Sequence, residues 1–348
     1  MLGVIALNYH AILNDEDAFA PIAPSFFERL FNPVSGVLST RFAATFVVVA
    51  GIGVALLSSR TSDFDPAGVR LLRQRLLRRG AFLLVVGFIL EWIWPGTILF
   101  YYGAYFLLAT VLFRLATRWL IVIGIGAGLI ATAVGTWSAW MYDRRELVTW
   151  LGFDRIDSIQ DLAVRTFLDY THPVFPWIAF LCTGMIIGRH LSTLSVWRWK
   201  VAAIATSTVV AIYAIVTLLD TMESLDGAVV DTLVSMETFD RGLLYLMSTL
   251  GIALIAFLAI SFVVEKCPIA SIMVHLQRAG QLSLSLYLLH VLAYSLAVNW
   301  FGWIGGESLS TALLFAGGFW VVAISVASWW HHRIGRGPAE IVYRTFGG

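Results

Sequence analysis

The chain has 348 residues, of which 59% are hydrophobic and 13% charged, and its mean hydropathy is +0.82. A soluble domain has roughly 45–50% apolar and about 25% charged residues, so the composition excludes an ordinary soluble enzyme. The formal net charge of +1 gives no reason to expect nucleic acid as a partner. We therefore predict an integral membrane protein whose direct partners include membrane lipids.

Apolar runs of about 17–25 residues, long enough to cross a membrane, recur along the chain. Counting a shorter first run, we predict an all-α polytopic fold with about ten transmembrane helices and one domain over residues 1–348. The runs lie near 1–13, 37–58, 80–96, 97–117, 119–140, 173–190, 199–219, 242–264, 280–301 and 308–330. Pro95 and Gly96 separate the third run from the fourth, because proline stops a helix and glycine turns the chain.

The first run, MLGVIALNYHAIL, carries Asn8, Tyr9 and His10 together. Polar side chains in hydrocarbon are costly unless they have partners, so they mark sites. Asn8 lies within one helical turn of His10, which suggests an oriented amide–imidazole pair. Thirteen helical residues reach about 20 Å, less than the roughly 30 Å of the hydrocarbon core, so we expect the first helix to be N-terminally truncated.

Basic and acidic loops alternate along the chain. The basic loops include RLLRQRLLRR at 70–79, and the acidic ones include NDED at 14–17 and parts of 153–169 and 220–240. The positive-inside rule places the basic loops in the cytoplasm. With ten spans both termini are then cytoplasmic, and we predict a multi-pass protein of the bacterial inner (plasma) membrane.

The arginine run has leucines among its charges and is typical of an amphipathic helix that starts at the lipid headgroups. Anchoring by anionic lipids is one interpretation. The other is that Arg73, Arg75, Arg78 and Arg79 hold the phosphates of a cytoplasmic ligand.

Five polar side chains from five predicted spans lie between the outer surface and the membrane midplane. They are His10, Arg41, Glu91, His172 and His290. Their common depth is the main indication of a site in the outer half of the membrane. Structural interpretations stay open for each: a buried histidine can pack with a hydrogen-bond partner, and Arg41 can snorkel to the interface or pair with Glu91.

The ninth run adds a helical periodicity. Ser283, Tyr287, His290 and Tyr294 fall at i, i+4, i+7 and i+11, which is one face of a helix, while Leu, Val and Ala fill the other faces. We predict that this polar stripe faces protein or a water-filled cavity rather than lipid.

These residue types suit two kinds of chemistry. Histidine is the usual general base near neutral pH, and an asparagine amide can donate to a developing oxyanion in acyl transfer. Buried His, Glu and Arg also form proton relays in transporters. The sequence has no G-x-S-x-G elbow, Walker loop or Cys/His metal spacing, so we expect neither a hydrolase of familiar type, nor an NTPase, nor a bound metal.

Several stretches resemble known membrane families. RRGAFLLVVGFILEWIWPGTILFYYGAYFLLA and GPAEIVYRTFGG resemble segments of the YeiB-like bacterial membrane proteins. YTHPVFPWIAFLCTGMIIGR resembles a helix of those proteins and of heparan-α-glucosaminide N-acetyltransferase-like proteins. LNYHAIL followed by FVVVAGIGVALL is similar to the first two helices of the N-acetyltransferase group, and LSLSLYLLHVL is similar to a helix of bacterial envelope O-acetyltransferases.

The resemblance implies a membrane acyltransferase that takes acetyl from cytoplasmic acetyl-CoA and delivers it to a sugar on the far side. Asn8 matches the family's Asn at the acetyl-transfer centre. The family's catalytic His lies in the first outer loop, which contains no His here, and Thr97 stands where the family's WPGD segment has its acid.

We therefore predict an acetyl-CoA-dependent acyltransferase that acts on an envelope glycan or lipid acceptor. His10 is the predicted base and Asn8 the oxyanion donor. Arg41 and Tyr9 contact the substrate, Tyr287 and His290 line the cavity, and Glu91 and His172 lie at its outer mouth. The alternative is a transporter or flippase for a small anionic or lipid-linked metabolite, although no internal repeat of the kind common in transporters is evident.

Overall fold

The computed structural model describes residues 1–13, 25–33, 36–59, 65–146, 148–151, 156–221, 227–267, 271–305 and 309–348. These residues form α-helices, one short 3-10 helix and one π-helix, and they contain no β-strand, so the all-α class is confirmed. The helices are α1 Leu2–Leu13, α2 Phe26–Phe31, α3 Arg41–Ser58, α4 Pro66–Glu91, α5 Ile98–Leu112, α6 Thr117–Asp143, α7 Ile159–Phe167, α8 Val174–Arg189, α9 Leu194–Asp220, α10 Ala228–Val234, α11 Leu243–Lys266, α12 Ser271–Gln281, α13 Ser283–Tyr294, α14 Leu309–Arg333 and α15 Pro338–Gly347.

Six of the described helical segments are long and apolar enough to cross a membrane, judged by length and composition. They are Arg41–Ser58, Thr117–Asp143, Leu191–Leu219, Leu243–Lys266, Ser283–Trp300 and Leu309–Arg333. Three shorter apolar helices, Gly3–Leu13, Ile98–Leu112 and Val174–Arg189, coincide with other predicted spans. The remaining predicted span, 80–96, overlaps the C-terminal half of α4. The arginine run at 70–79 precedes this overlap in the same helix. The count of ten crossings stays a prediction.

The chain divides into two compact units. The first unit comprises Met1–Phe42 with Ala259–Phe346, and the second comprises Ala43–Leu258 with Gly347–Gly348. In the first unit, α1 and α12 pack against α14. In the second, α4 pairs with α5, and α6 packs on α8. The single domain predicted over residues 1–348 includes both units and stays a prediction.

The ninth predicted span, 280–301, is not one regular helix. Helix α12 ends at Gln281, Leu282 breaks the helical path, and α13 runs from Ser283 to Tyr294. A π-helix, Ser295–Trp300, continues it. Such π segments are uncommon and occur often at functional sites.

The break predicted at Pro95 and Gly96 is confirmed. Helix α4 ends at Glu91, and Gly96 takes a positive φ of +78° that a residue without Cβ adopts freely. Thr97 then caps α5, because its hydroxyl accepts from the Leu99 amide at 3.4 Å. Threonine is one of the residues preferred at a helix N-cap.

Helices α3 and α8 approach each other at paired glycines in the second unit. A Cβ on Gly51 would lie 2.9 Å from the Cα atom of Gly184, closer than real Cβ contacts come. Small residues let membrane helices pack this closely. Van der Waals contact is the main attraction between such helices, because apolar side chains gain no free energy by leaving lipid.

We expect Gly184→Ala to lower the melting temperature of the detergent-purified protein. Its new Cβ would lie 2.8 Å from the Val48 carbonyl carbon and force α3 and α8 apart, and overpacking of this kind costs about 1–3 kcal/mol. The matched control is Gly126→Ala on α6, where a Cβ meets nothing within 4 Å. Equal melting temperatures for the two variants would contradict the close packing of these helices.

Candidate active site

Two polar side chains from distant parts of the sequence meet in the first unit. The Asn8 side-chain nitrogen of α1 lies 3.4 Å from Nε2 of His290 on α13. The neighbouring Tyr9 hydroxyl donates to the His290 carbonyl oxygen at 2.9 Å. Adjacent residues of α1 therefore hold both the side chain and the backbone of His290.

The second ring nitrogen of His290 fixes its tautomer. Nδ1 hydrogen-bonds the carbonyl oxygen of Tyr287, one turn earlier on α13. A carbonyl oxygen can only accept, so Nδ1 carries the proton of the neutral ring and Nε2 presents a lone pair. The Asn8 amide therefore donates to Nε2. A neutral histidine whose Nδ1–H is held by a carbonyl oxygen can act as a general base through Nε2 once a substrate group takes the place of the Asn8 amide.

Aromatic rings enclose this pair. The Tyr9 ring stacks on Phe315 of α14 at 4.6 Å and lies 5.5 Å from the Tyr294 ring. Tyr287 is 4.8 Å from the His290 ring. The side chain of His290 is fully buried, so the imidazole is shielded from bulk solvent.

The prediction that the polar stripe of this helix faces protein is confirmed for its three aromatic members. Tyr287, His290 and Tyr294 are buried, whereas Leu289 and Leu292 on the other faces are 40% and 50% exposed.

His10 has a different partner from the one that its spacing suggests. Its Nδ1 lies 3.0 Å from the carbonyl oxygen of Phe31. Residues two apart on a helix point to different sides, so Asn8 and His10 do not face each other. The predicted Asn8–His10 pair is wrong, and the structure pairs Asn8 with His290. The catalytic role of His10 stays a prediction.

Arg41 lies at the start of α3. The predicted run begins near 37, whereas the helix begins at Arg41 itself, and the Arg41 guanidinium donates to the Ser39 carbonyl oxygen at 2.9 Å. The side chain is buried, with 3% of its surface exposed, so it does not snorkel into solvent. Its substrate-binding role stays a prediction.

Glu91, placed by prediction at the outer end of α4, forms an ion pair within the second unit. Its Oε1 accepts from the guanidinium of Arg165 on α7 and from the Gly96 amide at 2.8 Å. The Arg165 guanidinium also lies 3.4 Å above the Tyr170 ring. These contacts neutralise the carboxylate and join α4 to α7, which is a structural role whatever else Glu91 does.

His172 lies in the loop before α8. Its carbonyl oxygen accepts from the Tyr105 hydroxyl at 2.6 Å, and its ring meets Trp177 edge-on at 4.6 Å. Its Nδ1 is buried and has no hydrogen-bond partner among the described residues. Burial lowers the pKa of His172 to about 3, and the nearby positive charge of Arg241 acts in the same direction. The ring is therefore neutral at physiological pH.

The four arginines proposed for phosphate binding differ in their surroundings. The Arg73 Nε donates to the carbonyl oxygen of Thr110 at 3.2 Å. Arg75 and Arg79 lie beside the terminal glycines Gly348 and Gly347. Arg73 and Arg78 are exposed. Their phosphate-binding role stays a prediction.

Two family models match the chain. Residues 4–219, more than half of the chain, match the family described as heparan-alpha-glucosaminide N-acetyltransferase, catalytic. The chain belongs to this acetyltransferase family. Residues 187–347 match a second family, described as a protein of unknown function, DUF418. No curated protein and no solved structure matches the chain.

Membership in the acetyltransferase family confirms the predicted resemblance and makes the chain, broadly, a membrane acyltransferase. Each of the two matches contains part of the candidate site. Asn8, Tyr9 and His10 lie in the acetyltransferase match, whereas Tyr287 and His290 lie in the second match. The Asn8–His290 contact therefore joins the two matched regions within one compact unit.

Several residues around these sites were not predicted. Arg165 and Arg241 are positively charged residues at or beside acidic stretches. An isolated positive charge in such a stretch is visible in the sequence and indicates an ion pair. Arg241 donates to the Asp169 carboxylate at 2.7 Å and to the Tyr170 carbonyl oxygen. Phe315 gave no such signal, because it lies in an apolar run.

A cavity of about 350 Å³ lies in the second unit, between α6, α10 and the adjoining loops. Polar and aromatic groups share its wall: Ser138, Thr232, Asp169, Asp240, Arg241 and Phe239. Within the described ranges, no group of three or more His, Cys, Asp or Glu side chains is placed to hold a metal ion, and the predicted lack of a metal stays a prediction.

We expect the stability of the protein to fall as the pH decreases below about 6.5, in part because of His172. The folded-state pKa lies below the unfolded value, so protons bind preferentially to the unfolded chain. His172→Gln removes this effect and should flatten the fall by up to about 1.4 kcal/mol per pH unit between pH 6 and 4. Melting temperatures in detergent across this range measure it.

The matched control for this pH series is His332→Gln, at an exposed position of α14. Its curve should run parallel to that of the wild type. A His172→Gln curve that also runs parallel to wild type would contradict the lowered pKa.

Proposed function

We propose that this chain transfers an acyl group, acetyl in the first instance, from cytoplasmic acyl-CoA to a glycan or lipid acceptor on the outer side of the bacterial inner membrane. The Asn8–His290 contact carries this proposal, because it supplies a base and an amide donor side by side. Membership in the acetyltransferase family supports the reaction class.

His290 is the proposed base. Its Nε2 takes the proton from the acceptor hydroxyl or amine as that group attacks the thioester carbonyl carbon. The carbon–sulfur bond of the thioester then breaks, and the departing CoA thiolate receives the proton from the imidazolium. The Tyr287 carbonyl stabilises the imidazolium in between, since it already accepts from Nδ1–H.

Asn8 is the proposed oxyanion donor. When the substrate enters, the Asn8 amide leaves Nε2 and donates an N–H to the thioester oxygen, and the freed Nε2 lone pair takes the proton of the acceptor. Donors aimed at a developing negative charge stabilise it most where water is excluded, and the buried rings of Tyr9 and Tyr294, with Phe315 stacked on Tyr9, supply such surroundings.

Four further residues keep supporting roles in the proposal. His10, held by the Phe31 carbonyl, is the alternative base. Arg41 has a buried guanidinium suited to an anionic acceptor or phosphate group. Arg75 and Arg79 are half-buried on α4, in the basic segment that the positive-inside rule assigns to the cytoplasm, where the CoA phosphates arrive.

We expect His290→Ala and Asn8→Ala each to lower acceptor-dependent release of CoA by about 100-fold or more, the usual scale for a base or an oxyanion donor. The assay supplies the purified protein with acetyl-CoA and envelope extract and measures free thiol. His332→Ala, at an exposed histidine of the same unit, should retain wild-type turnover.

The variant His10→Ala separates the two candidate bases. Loss of turnover in His10→Ala but not in His290→Ala would assign the base to His10. If the wild type releases no CoA with any extract, yet moves an anionic metabolite across vesicle membranes, the protein is a transporter and the acyltransferase proposal fails.

A further inference from the structure

A single carboxylate holds the start of the helix that carries His290. Glu340 lies on α15, and its Oε1 accepts from the backbone amides of Leu284 at 2.7 Å and Ser285 at 3.0 Å. Its Oε2 accepts from the Ser285 hydroxyl. The Ser285 oxygen in turn accepts from the Ala339 amide at 3.1 Å. Four hydrogen bonds therefore join the N-terminus of α13 to α15.

This arrangement replaces a cap that α13 lacks in its own sequence. The residue before the helix is Leu282, which offers no side-chain acceptor to the first amides. Those amides need partners from elsewhere, and a negative charge at a helix N-terminus is also favoured by the helix dipole. Glu340, 55 residues after Ser285 in the chain, supplies both the hydrogen-bond acceptor and the negative charge.

The space around the carboxylate admits no additional side chain. A Cβ on Gly337, which precedes α15, would lie 2.5 Å from the Ser285 hydroxyl oxygen and would also meet the Glu340 carboxylate. Gly337 and Glu340 belong to the tail segment GPAEIVYRTFGG. A glycine at 337 and a carboxylate at 340 are thus both required by the same contact.

Helix α13 is not part of a longer regular helix, so lateral contacts such as this one set its rotation. It has 12 residues, is separated from α12 by the break at Leu282, and passes into a π-helix at Ser295. Neither end continues a regular helix that would set its rotation. His290 lies five residues beyond Ser285, which is about 7.5 Å along the axis. A small rotation at the start would turn its imidazole away from Asn8.

We propose that Glu340, acting through Ser285 and the first amides of α13, is a positioning residue that sets the orientation of His290 toward Asn8. The expected effect on turnover rests on the proposed acyltransferase function, whereas the effect on the His290 ring does not. Misplacement of a reacting group by about 1 Å can lower a rate about 100-fold.

The test uses the purified full chain with Glu340→Gln and Ser285→Ala. Glu340→Gln removes the charge and one acceptor, and Ser285→Ala removes only the hydroxyl link. The control is Ser325→Ala on α14, whose hydroxyl bonds its own helix at the Val321 carbonyl oxygen. Diethyl pyrocarbonate modifies neutral imidazole, and peptide mass spectrometry reports its rate at each histidine.

We expect modification of His290 to accelerate at least fivefold in Glu340→Gln and in Ser285→Ala and to stay at the wild-type rate in Ser325→Ala. The exposed His332 is the internal reference and should react equally in all four proteins. In the thiol-release assay, kcat should fall about tenfold or more in both variants while KM for acetyl-CoA changes less than twofold. If Glu340→Gln does not fold, Ser285→Ala carries the test alone.

The outcomes separate the two proposals. Wild-type reactivity of His290 in the folded variants would overturn the positioning role, whatever the activity does. Equal acceleration in Ser325→Ala would also overturn it, because loosening would then be unspecific. Faster His290 modification in the two variants, together with a wild type that transfers no acyl group, would support the positioning role and reject the acyltransferase.

Discussion

The first unit depends on one requirement: a polar side chain away from water must find its partners inside the protein. His290 is fully buried, and its polar groups have partners from two helices. Nε2 faces Asn8, Nδ1 bonds the Tyr287 carbonyl, and the His290 carbonyl oxygen accepts from Tyr9. These contacts fix α1 against α13. They also place the Asn8 amide next to the His290 imidazole.

The same requirement explains two ion pairs of the second unit. Glu91 pairs with Arg165, and Asp169 pairs with Arg241, so two carboxylates that could have faced a substrate neutralise cations on neighbouring segments. Removing one member of such a pair leaves a partly buried charge without compensation, which destabilises a fold strongly. Loss of activity on mutation of Glu91 alone would therefore not distinguish a substrate contact from a structural ion pair.

In the first unit, residues from the two family matches contact each other. The acetyltransferase match supplies the amide at Asn8, and the second match supplies the imidazole at His290 and the carboxylate at Glu340. Glu340 does not contact the imidazole, yet it satisfies the amides at the start of the helix that carries it. A helix bounded by a break and a π segment needs lateral contacts of this kind, because the chain segments before and after it do not determine its rotation.

The sequence by itself determined the properties that depend on short segments. Apolar length predicted where the six longest apolar helices lie, Pro95 and Gly96 predicted a turn, and the spacing of Tyr287, His290 and Tyr294 predicted a buried face. The tertiary structure decided which polar groups meet. Asn8 and His10 are close in sequence, but the 100° step between helical residues separates them, and Asn8 instead meets a ring 282 positions away. Likewise, Glu340 and Ser285 belong to separate helices, and only the packing of those helices brings the carboxylate to the unsatisfied amides of α13.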